Sequence, residues 1–450
     1  MTKLAMFGGT RTLRRTDMSK DLTGWPVVTD QERDAVLGVL DGGLFTSNDA
    51  GKGEVSALQR DWAEYTGSRY CAAVSNGTAA LELALAALDL EPGSEVLVPA
   101  LTFIGSAIPV VQRMLVPVFV DVDPVTYTMD PERAAAAITS RTRAIIAVHL
   151  HGLPADMTAL RALADRHGLK LIEDAAQAQG ARYQGRVAGS LGDINATSLN
   201  VVKNLPTCGE GGLVTTDDEA LYEQVVLRRQ FGEDLRSGQD RDYISRLMAG
   251  NEKLSAVQAA FTRRQLTRLD EYAALRAKNV TGFLDRIGQL PGIGVPVCPP
   301  DRTHAWHILR LRFSAEALGH HDVSSGALRA VLHRALRAEG VPVAPYQVVP
   351  LPGQHAFRQL TELGGYPWAL PGARRPSYRI EDHPTSLAVI EDSLTIQRLH
   401  LNPAAGPVLD RVADAFAKVW EQLDQLLSVA RAMDYRPPWH QAMSSLKEAA

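Results

Sequence analysis

The sequence predicts an α/β protein whose larger domain is built on a mainly parallel sheet with helices on both faces. Between residues 70 and 173, short apolar stretches typical of buried strands alternate with stretches of helical periodicity. At 450 residues, the chain is long enough for one large and one smaller domain. Hydrophobic residues make up 45% of the chain and charged residues 22%, which is the composition of a soluble globular protein.

The elements of this alternation follow from the spacing of apolar residues. The predicted strands are Tyr70–Val74, Glu95–Pro99, Val116–Val122, Ala144–Leu150 and Leu169–Glu173. The predicted helices are Asp30–Leu40, 54–66, Ala79–Leu88, Gly105–Arg113, Pro131–Ala137 and Met157–His167. Residues 213–290 are predicted to be mainly helical and to end in one long helix, from Val257 to about Leu284. In such sheets ligands bind beyond the carboxyl ends of the strands, so a site is expected there.

Three parts are predicted along the chain: an N-terminal arm (1–30), a large domain (31–290) and a small α+β domain (291–450). The arm is polar and irregular, and we expect it to lie on the body or on another subunit. The join is placed at the Pro- and Gly-rich stretch Pro291–Pro300. For the small domain we predict a strand at Ile308–Phe313, a helix near 325–339, an irregular stretch at 350–385, a helix at Gly406–Met433 and a mobile terminus at 434–450.

Composition excludes several classes of partner. The formal net charge of −4 gives no reason to expect nucleic acid or an anionic membrane. No apolar run is long enough to cross a bilayer, and the N-terminus lacks the apolar core of a secretion signal. The three cysteines, Cys71, Cys208 and Cys298, are too few and too scattered for a disulfide framework or a zinc site, and they favour a cytoplasmic location.

The stretch 197–212 holds the strongest candidate for chemistry, Lys203. This lysine has apolar and small neighbours and is followed by a glycine run. Burial disfavours the charged form of a lysine, and a neutral amine can attack a carbonyl to form a Schiff base. Glycines let the backbone approach a bound group closely. The alternative is a strand that ends in a turn whose lysine reaches solvent.

Three other strand ends offer groups that one cofactor would need. Residues 75–80 form a small-residue turn before a helix, where free N–H groups and the Thr78 hydroxyl suit a phosphate, although a simple N-cap is the alternative. Phe103 could stack on a flat ring, or could belong to the core. Asp174 ends an apolar strand and needs a cationic partner such as a protonated pyridine nitrogen, unless it caps a helix. Ser198 offers another hydroxyl for the phosphate.

The motifs that carry these residues resemble the DegT/DnrJ/EryC1/StrS family of pyridoxal 5′-phosphate (PLP)-dependent sugar aminotransferases. The resemblance runs from about Thr46 to Gln258 and implies the aspartate aminotransferase-like fold, PLP fold type I. The motifs are Ser-Asn-Gly-Thr-Ala-Ala-Leu at 75–81, Val-Pro-Ala-Leu-Thr-Phe at 98–103, Val-Asp-Val-Asp at 120–123, Val-His-Leu-His-Gly at 148–152, Glu-Asp-Ala-Ala-Gln-Ala at 173–178, and Lys-Asn at 203–204 before Gly-Glu-Gly-Gly.

The resemblance also implies a role for each site residue. Lys203 would bind PLP covalently, Asp174 would pair with the pyridine nitrogen, and Gln177 would bond the ring hydroxyl. Phe103 would stack on the ring. The residues implied to hold the phosphate are Gly77, Thr78, Ala79, Ser198 and, from the neighbouring subunit of a homodimer, Asn251.

Three departures from the family pattern concern the substrate pocket. Gln179 stands where the family often has histidine, and Gly250-Asn251-Glu252-Lys253 lacks the flanking aromatic residues often found there. Residues 350–385 are longer than the usual loop of the small domain. These departures leave the predicted cofactor residues in place.

We therefore expect a homodimeric PLP aminotransferase that moves an amino group from glutamate or glutamine to a keto-sugar or keto-cyclitol, in antibiotic or surface-sugar biosynthesis. The segments 7–10 and 24–26 resemble the cyclitol-type members, including glutamine:scyllo-inosose aminotransferases. Polar residues beside the motifs, Gln179, Asn200, His149 and His151, are candidates for the substrate pocket, with structural roles as the alternative. Two other functions stay open: a PLP-dependent sugar dehydratase, which typically has histidine in place of the lysine, and a non-catalytic sugar-sensing regulator.

Overall fold

A computed structural model describes residues 3–46, 51–234, 243–360 and 362–440. The strands are β1 (Tyr70–Val74), β2 (Glu95–Pro99), β3 (Val116–Val120), β4 (Thr142–Val148), β5 (Lys170–Asp174), β6 (Arg182–Tyr183), β7 (Arg186–Val187), β8 (Ile194–Ser198), β9 (Gly212–Thr216), β10 (Ile293–Gly294), β11 (Leu309–Phe313) and β12 (Ser393–Ile396).

The α-helices are α1 (Lys20–Thr23), α2 (Asp30–Gly42), α3 (Glu54–Thr66), α4 (Gly77–Ala87), α5 (Ile108–Gln112), α6 (Pro131–Ala137), α7 (Met157–His167), α8 (Glu219–Arg229), α9 (Ala256–Leu266), α10 (Leu269–Ile287), α11 (Ser325–Ala338), α12 (His355–Gln359), α13 (Pro384–Asp392), α14 (Gly406–Trp420) and α15 (Leu423–Arg431). None of the helices in the described ranges has both the length and the apolar character needed to cross a membrane.

The central sheet has seven strands in the order β1-β9-β8-β5-β4-β2-β3. β9 pairs antiparallel with β1 and with β8, and the other pairs are parallel. The predicted mainly parallel sheet is therefore confirmed. β9 lies at the start of the region predicted to be mainly helical, and its five residues are all buried between two strands. Because β9 is short and buried on both faces, it has no alternating pattern that would mark it as a strand.

Helices cover both faces of this sheet. Val96 and Val98 pack in the core layer that holds α4, whereas Leu97 packs in the opposite layer with α7. This alternation follows from the two-residue period of a strand. The carboxyl ends of the parallel strands consequently meet at one edge, where the polar segments that follow them come together.

The small domain has a three-stranded antiparallel sheet, β10-β11-β12, packed against α11 and α14. Two residues of the N-terminal arm, Leu4 and Leu13, are fully buried in its core. Asn402 Nδ2 donates to the backbone oxygens of Asp21 at 3.1 Å and Gly24 at 2.8 Å. The arm is therefore fixed to the small domain along most of its length.

Part of the 350–385 stretch packs on the large domain. Phe357 and Tyr378 contact Phe119 of β3, and the Tyr378 hydroxyl donates to Pro117 O at 2.7 Å. Arg374 Nε donates to the buried carboxylate of Glu95 at 2.7 Å. This stretch therefore covers the β3 edge of the sheet. Edge strands need such a cover in order to avoid pairing with other chains.

Three predicted helices differ in the structure. The stretch 257–284 forms two helices, α9 and α10, because Arg268 between them leaves helical geometry at φ −114° and ψ 3°. Residues 406–433 likewise divide into α14 and α15 at Gln422. The helix predicted from Gly105 begins only at Ile108, after a 3-10 turn. Most of the terminus predicted to be mobile, residues 441–450, lies outside the described residues.

Candidate active site

A cavity of about 580 Å³ opens at the carboxyl ends of the parallel strands. The predicted site residues that line it are Gly77, Thr78, Phe103, Asp174, Gln177, Ser198 and Lys203. Ala79 and Asn251 are not among its lining residues. His307, Tyr346 and Arg398 line the other side, so the cavity lies between the large and small domains.

The turn before α4 has free backbone donors that suit an anion. Asn76 caps the helix, and its Oδ1 accepts the Ala79 N–H at 2.9 Å, which takes that donor out of the cavity. The N–H groups of Gly77 and Thr78 have no partner within the described chain. A Cβ on Gly77 would lie 2.6 Å from the Cβ of Ser198, so only glycine lets the turn come this close to β8. Two free N–H groups at a helix N-terminus fit a phosphate.

Asp174 is a buried carboxylate at the end of β5 and is only 5% exposed. The Ser106 hydroxyl donates to its Oδ2 at 2.7 Å, and the Ala176 N–H donates to its Oδ1 at 3.1 Å. Burial raises the pKa of Asp174, and these bonds together with the charge of Lys203 offset that rise only in part. A cation placed against this carboxylate would therefore be strongly favoured.

Lys203 lies in the turn that follows β8. Burial lowers the pKa of its amine, while the charges of Asp174 and Glu210 oppose that shift. The backbone N–H of Lys203 donates to Asn200 O at 2.8 Å, and the backbone carbonyl oxygen of Lys203 accepts the indole N–H of Trp25 at 2.9 Å. The backbone on both sides of the amine is therefore fixed, and a larger fraction of the amine is neutral than in an exposed lysine.

Gln177 and Phe103 complete the outline of a ring site. Gln177 Oε1 accepts the backbone N–H of His151 at 2.7 Å. The amide nitrogen of Gln177 is therefore left as a donor beside Tyr346. The Phe103 ring is 60% exposed and lines the cavity wall. A flat ring could cover this apolar face. The residues present therefore fit PLP: an acid for a cationic nitrogen, a donor for a ring oxygen, a stacking face, a phosphate turn and an amine.

The additional polar candidates divide into one cavity residue and three structural ones. Asn200 lines the cavity and donates to Glu210 Oε1 at 2.5 Å. Gln179 is fully buried outside it, and its Nε2 donates to Ser198 O at 2.6 Å. For this residue the structural alternative is the one observed.

The two histidines are also structural. His149 Nδ1 accepts the Ala155 N–H at 3.1 Å, and its Nε2 lies 2.8 Å from Glu173 Oε1. His151 Nε2 accepts the Nε–H of the buried Arg310 at 2.9 Å. Burial together with the positive charge of Arg310 lowers the pKa of His151 far below its usual value. Both side chains are buried, and neither lines the cavity.

Sequence reasoning missed the cavity residues of the small domain. His307, Tyr346 and Arg398 are more than a hundred residues from Lys203 and belong to segments without a family motif. One signal was available, because Thr-His-Ala-Trp-His at 303–307 places two histidines just before the strand predicted at 308.

Asn251 lies away from the cavity. It is exposed, and it bridges to Gln230 in a short antiparallel pairing. Along the same segment Met248 is 99% exposed. Within one chain, therefore, Asn251 does not contribute to the site.

Comparison with known proteins gives a consistent result. The DegT/DnrJ/EryC1/StrS aminotransferase family matches residues 26–385. A dTDP-3-amino-3,4,6-trideoxy-alpha-D-glucose transaminase from Streptomyces venezuelae is 39% identical over 62% of this chain and 71% of its own length. An L-glutamine:2-deoxy-scyllo-inosose aminotransferase from Streptoalloteichus tenebrarius is 37% identical over 71% of this chain and 77% of its own. The solved aminotransferase from Psychrobacter cryohalolentis superposes with a TM-score of 0.77 at 30% identity, covering 90% of this chain and 100% of that one.

Proposed function

The chain belongs to the DegT/DnrJ/EryC1/StrS aminotransferase family, and we propose that it moves an amino group from L-glutamate or L-glutamine to the ketone of a hydroxyl-rich sugar or cyclitol. It is a PLP-dependent enzyme of fold type I. The bound cofactor supplies an electron sink that stabilises negative charge on the substrate carbon. The observation that carries the proposal is the presence in one cavity of Lys203, whose pKa burial lowers, and of the buried carboxyl group of Asp174.

Lys203 is proposed to act as the general base. An amine that is partly neutral can take the proton from the α-carbon of the donor and return it to another carbon. Asp174 keeps a proton on the ring nitrogen by its negative charge, and Ser106 fixes the orientation of that carboxylate. The bond from Trp25 to the Lys203 carbonyl holds the backbone of this residue in place while its side chain moves.

Arg398 is proposed to bind the carboxylate of the amino donor. Lys203 and Arg398 are the two lysine or arginine side chains among the residues that line the cavity. Because Lys203 is needed for chemistry, Arg398 is the cation available for a carboxylate, and its planar guanidinium suits one. The hydroxyls and amides of Thr102, Tyr346 and Gln397 line the same space and suit a polyhydroxylated acceptor.

A homodimer with shared sites is also part of the proposal. Asn251 is exposed and outside the cavity of its own chain, in a segment that also carries the exposed apolar residues Tyr243, Ile244 and Met248. A second copy packed on this segment would bury the apolar groups and could bring Asn251 to the phosphate turn across a two-fold axis. We place the enzyme in the cytoplasm, in antibiotic or surface-sugar biosynthesis, in keeping with the free thiols of Cys71, Cys208 and Cys298.

The test is to add glutamine or glutamate alone to the PLP-loaded protein and to follow its visible absorption band. Loss of the band with release of one keto acid per site supports amino transfer in two separate halves. A protein whose band responds to no amino donor but that dehydrates a sugar would be a dehydratase. A protein that binds a sugar but neither PLP nor donor would be a regulator, and either result refutes the proposal.

A further inference from the structure

His307 reaches the cavity from the segment before β11 and is held in one tautomer. Asn204 Nδ2 donates to Ala305 O at 2.7 Å, which fixes the orientation of the Asn204 amide. The amide oxygen of Asn204 therefore faces His307 Nδ1, at 2.9 Å. An oxygen can only accept, so the proton is on Nδ1 and a lone pair is on Nε2.

The imidazole is neutral as well as oriented. His307 is 5% exposed, and burial lowers its pKa far below the usual value. The positive charges of Lys203, Arg276 and Arg398 lower it further. Its Nε2 has no hydrogen-bond partner within the described chain, and this atom is not fully buried. Because the residue lines the cavity, this lone pair is directed into it.

A neutral acceptor in this position selects among ligand groups. A carboxylate carries no hydrogen to donate. An ammonium group at Nε2 would add a positive charge to those of Lys203, Arg276 and Arg398, which already act on this ring. A hydroxyl can donate to the ring nitrogen without bringing charge into the site, and an analogue without that hydroxyl would leave the lone pair unpaired.

We propose that His307 Nε2 accepts a hydrogen bond from a hydroxyl of the amino-group acceptor and makes the enzyme select ketones that carry a hydroxyl at that place. The inference rests on the proposed function, because it assumes a hydroxyl-rich acceptor. It assigns to His307 a contact with substrate and a role in specificity.

Two substitutions separate the hydrogen-bond acceptor at Nε2 from the Nδ1 bond that holds the ring. In His307→Asn, the amide nitrogen falls near the former Nδ1 and can still donate to Asn204, but the acceptor at Nε2 is lost. In His307→Gln, an amide falls near the former Nε2 and can offer its oxygen there. The substrates are scyllo-inosose and its analogues that each lack one hydroxyl, or the corresponding dTDP-keto-sugar series if the wild type prefers it.

Wild type should discriminate about tenfold in kcat/KM against one deoxy analogue. His307→Asn should lose that preference, and His307→Gln should keep part of it. An unchanged preference in His307→Asn would overturn the inference. The proposed function is tested separately, because its failure would appear as a wild-type absorption band that no amino donor changes.

The tautomer can be read without turnover. In protein labelled with ¹⁵N-histidine, the His307 signals are those missing from His307→Asn. Near pH 7 we expect a protonated Nδ1 and an unprotonated Nε2, with the Nε2 signal moving when scyllo-inosose or the dTDP-keto-sugar binds. A proton on Nε2, or an imidazolium, would contradict the inference, as would an Nε2 signal that saturating ligand leaves in place.

Discussion

The close approach of Gly77 to Ser198 gives a prediction whose size can be worked from the structure. In Gly77→Ala, the added Cβ would lie 2.6 Å from Ser198 Cβ and 3.1 Å from its Cα. Ordinary contact needs 3.4–4 Å, so the start of α4 and the end of β8 must separate by roughly 1 Å. Such overpacking costs about 1–3 kcal/mol. The same movement carries the N–H groups of Gly77 and Thr78 away from the phosphate.

The assay is a titration of the protein with PLP, followed by absorbance, together with thermal melting of the protein without cofactor. We expect the PLP Kd to rise about tenfold, the equivalent of ~1.4 kcal/mol, and the melting temperature to fall by several degrees. Gly282→Ala is the matched control, because a Cβ there meets nothing within 4 Å inside α10. It should gain ~0.5–1 kcal/mol and leave the Kd unchanged. Wild-type affinity and melting in Gly77→Ala would refute the reasoning.

Four further predictions follow from the site and its surroundings. Lys203→Ala should lose the visible band of the PLP-loaded protein, and a PLP adduct that borohydride still traps in this variant would remove Lys203 from its role. Asp174→Asn should bind PLP but turn over at least a hundredfold more slowly, because the ring nitrogen loses its proton more readily; single-turnover rates near those of wild type would contradict this. Subunit exchange between Lys203→Ala and an inactive Asn251→Ala should restore some activity, and its absence in verified heterodimers would count against shared sites. Burial lowers the pKa of His304 and of His400 to about 3, so the unfolded chain binds more protons than the folded one between pH 6.5 and 3. The free energy of unfolding should therefore decrease as the pH is lowered through that window, by up to ~1.4 kcal/mol per pH unit for each histidine. In His400→Gln, whose amide can still donate to Trp306 O, the melting temperature should depend less steeply on pH; an identical slope would be the contrary result.

The parallel strands were predictable because each carries its own local signal. Runs such as Glu95–Pro99 are short and mostly apolar and follow a Gly-Ser turn, and every residue of that strand is buried. Helix ends were less predictable, because the apolar period continues through Arg268 and Gln422 and only tertiary packing sets the breaks there. The docking of Arg374 and Tyr378 on β2 and β3 depends on contacts such as Arg374 with Glu95, which are distant in sequence.

The large-domain half of the site was predictable for a related reason. Asp174 and Ser198 end neighbouring parallel strands, so the topology alone brings them to one edge. The other half could not be found in this way, because His307 and Arg398 enter the cavity from the small domain. Local sequence also could not show that Asn76 uses the Ala79 N–H, or that His149 is bonded to Glu173, since both depend on side-chain orientation.

The contacts of the N-terminal arm impose an order on the folding of a newly made chain. The arm leaves the ribosome first, but its partner Asn402 lies 381 residues after Asp21. At ~5–20 residues per second, that distance takes roughly 20–80 s to synthesise. Once residue 216 has been made, all seven strands of the central sheet can be in place before residue 402 is available to the arm. The bond from Trp25 to the Lys203 carbonyl therefore belongs among the late events of folding. A chain halted between residues 216 and 402 would hold a complete sheet with a catalytic turn that lacks the support of the fixed arm.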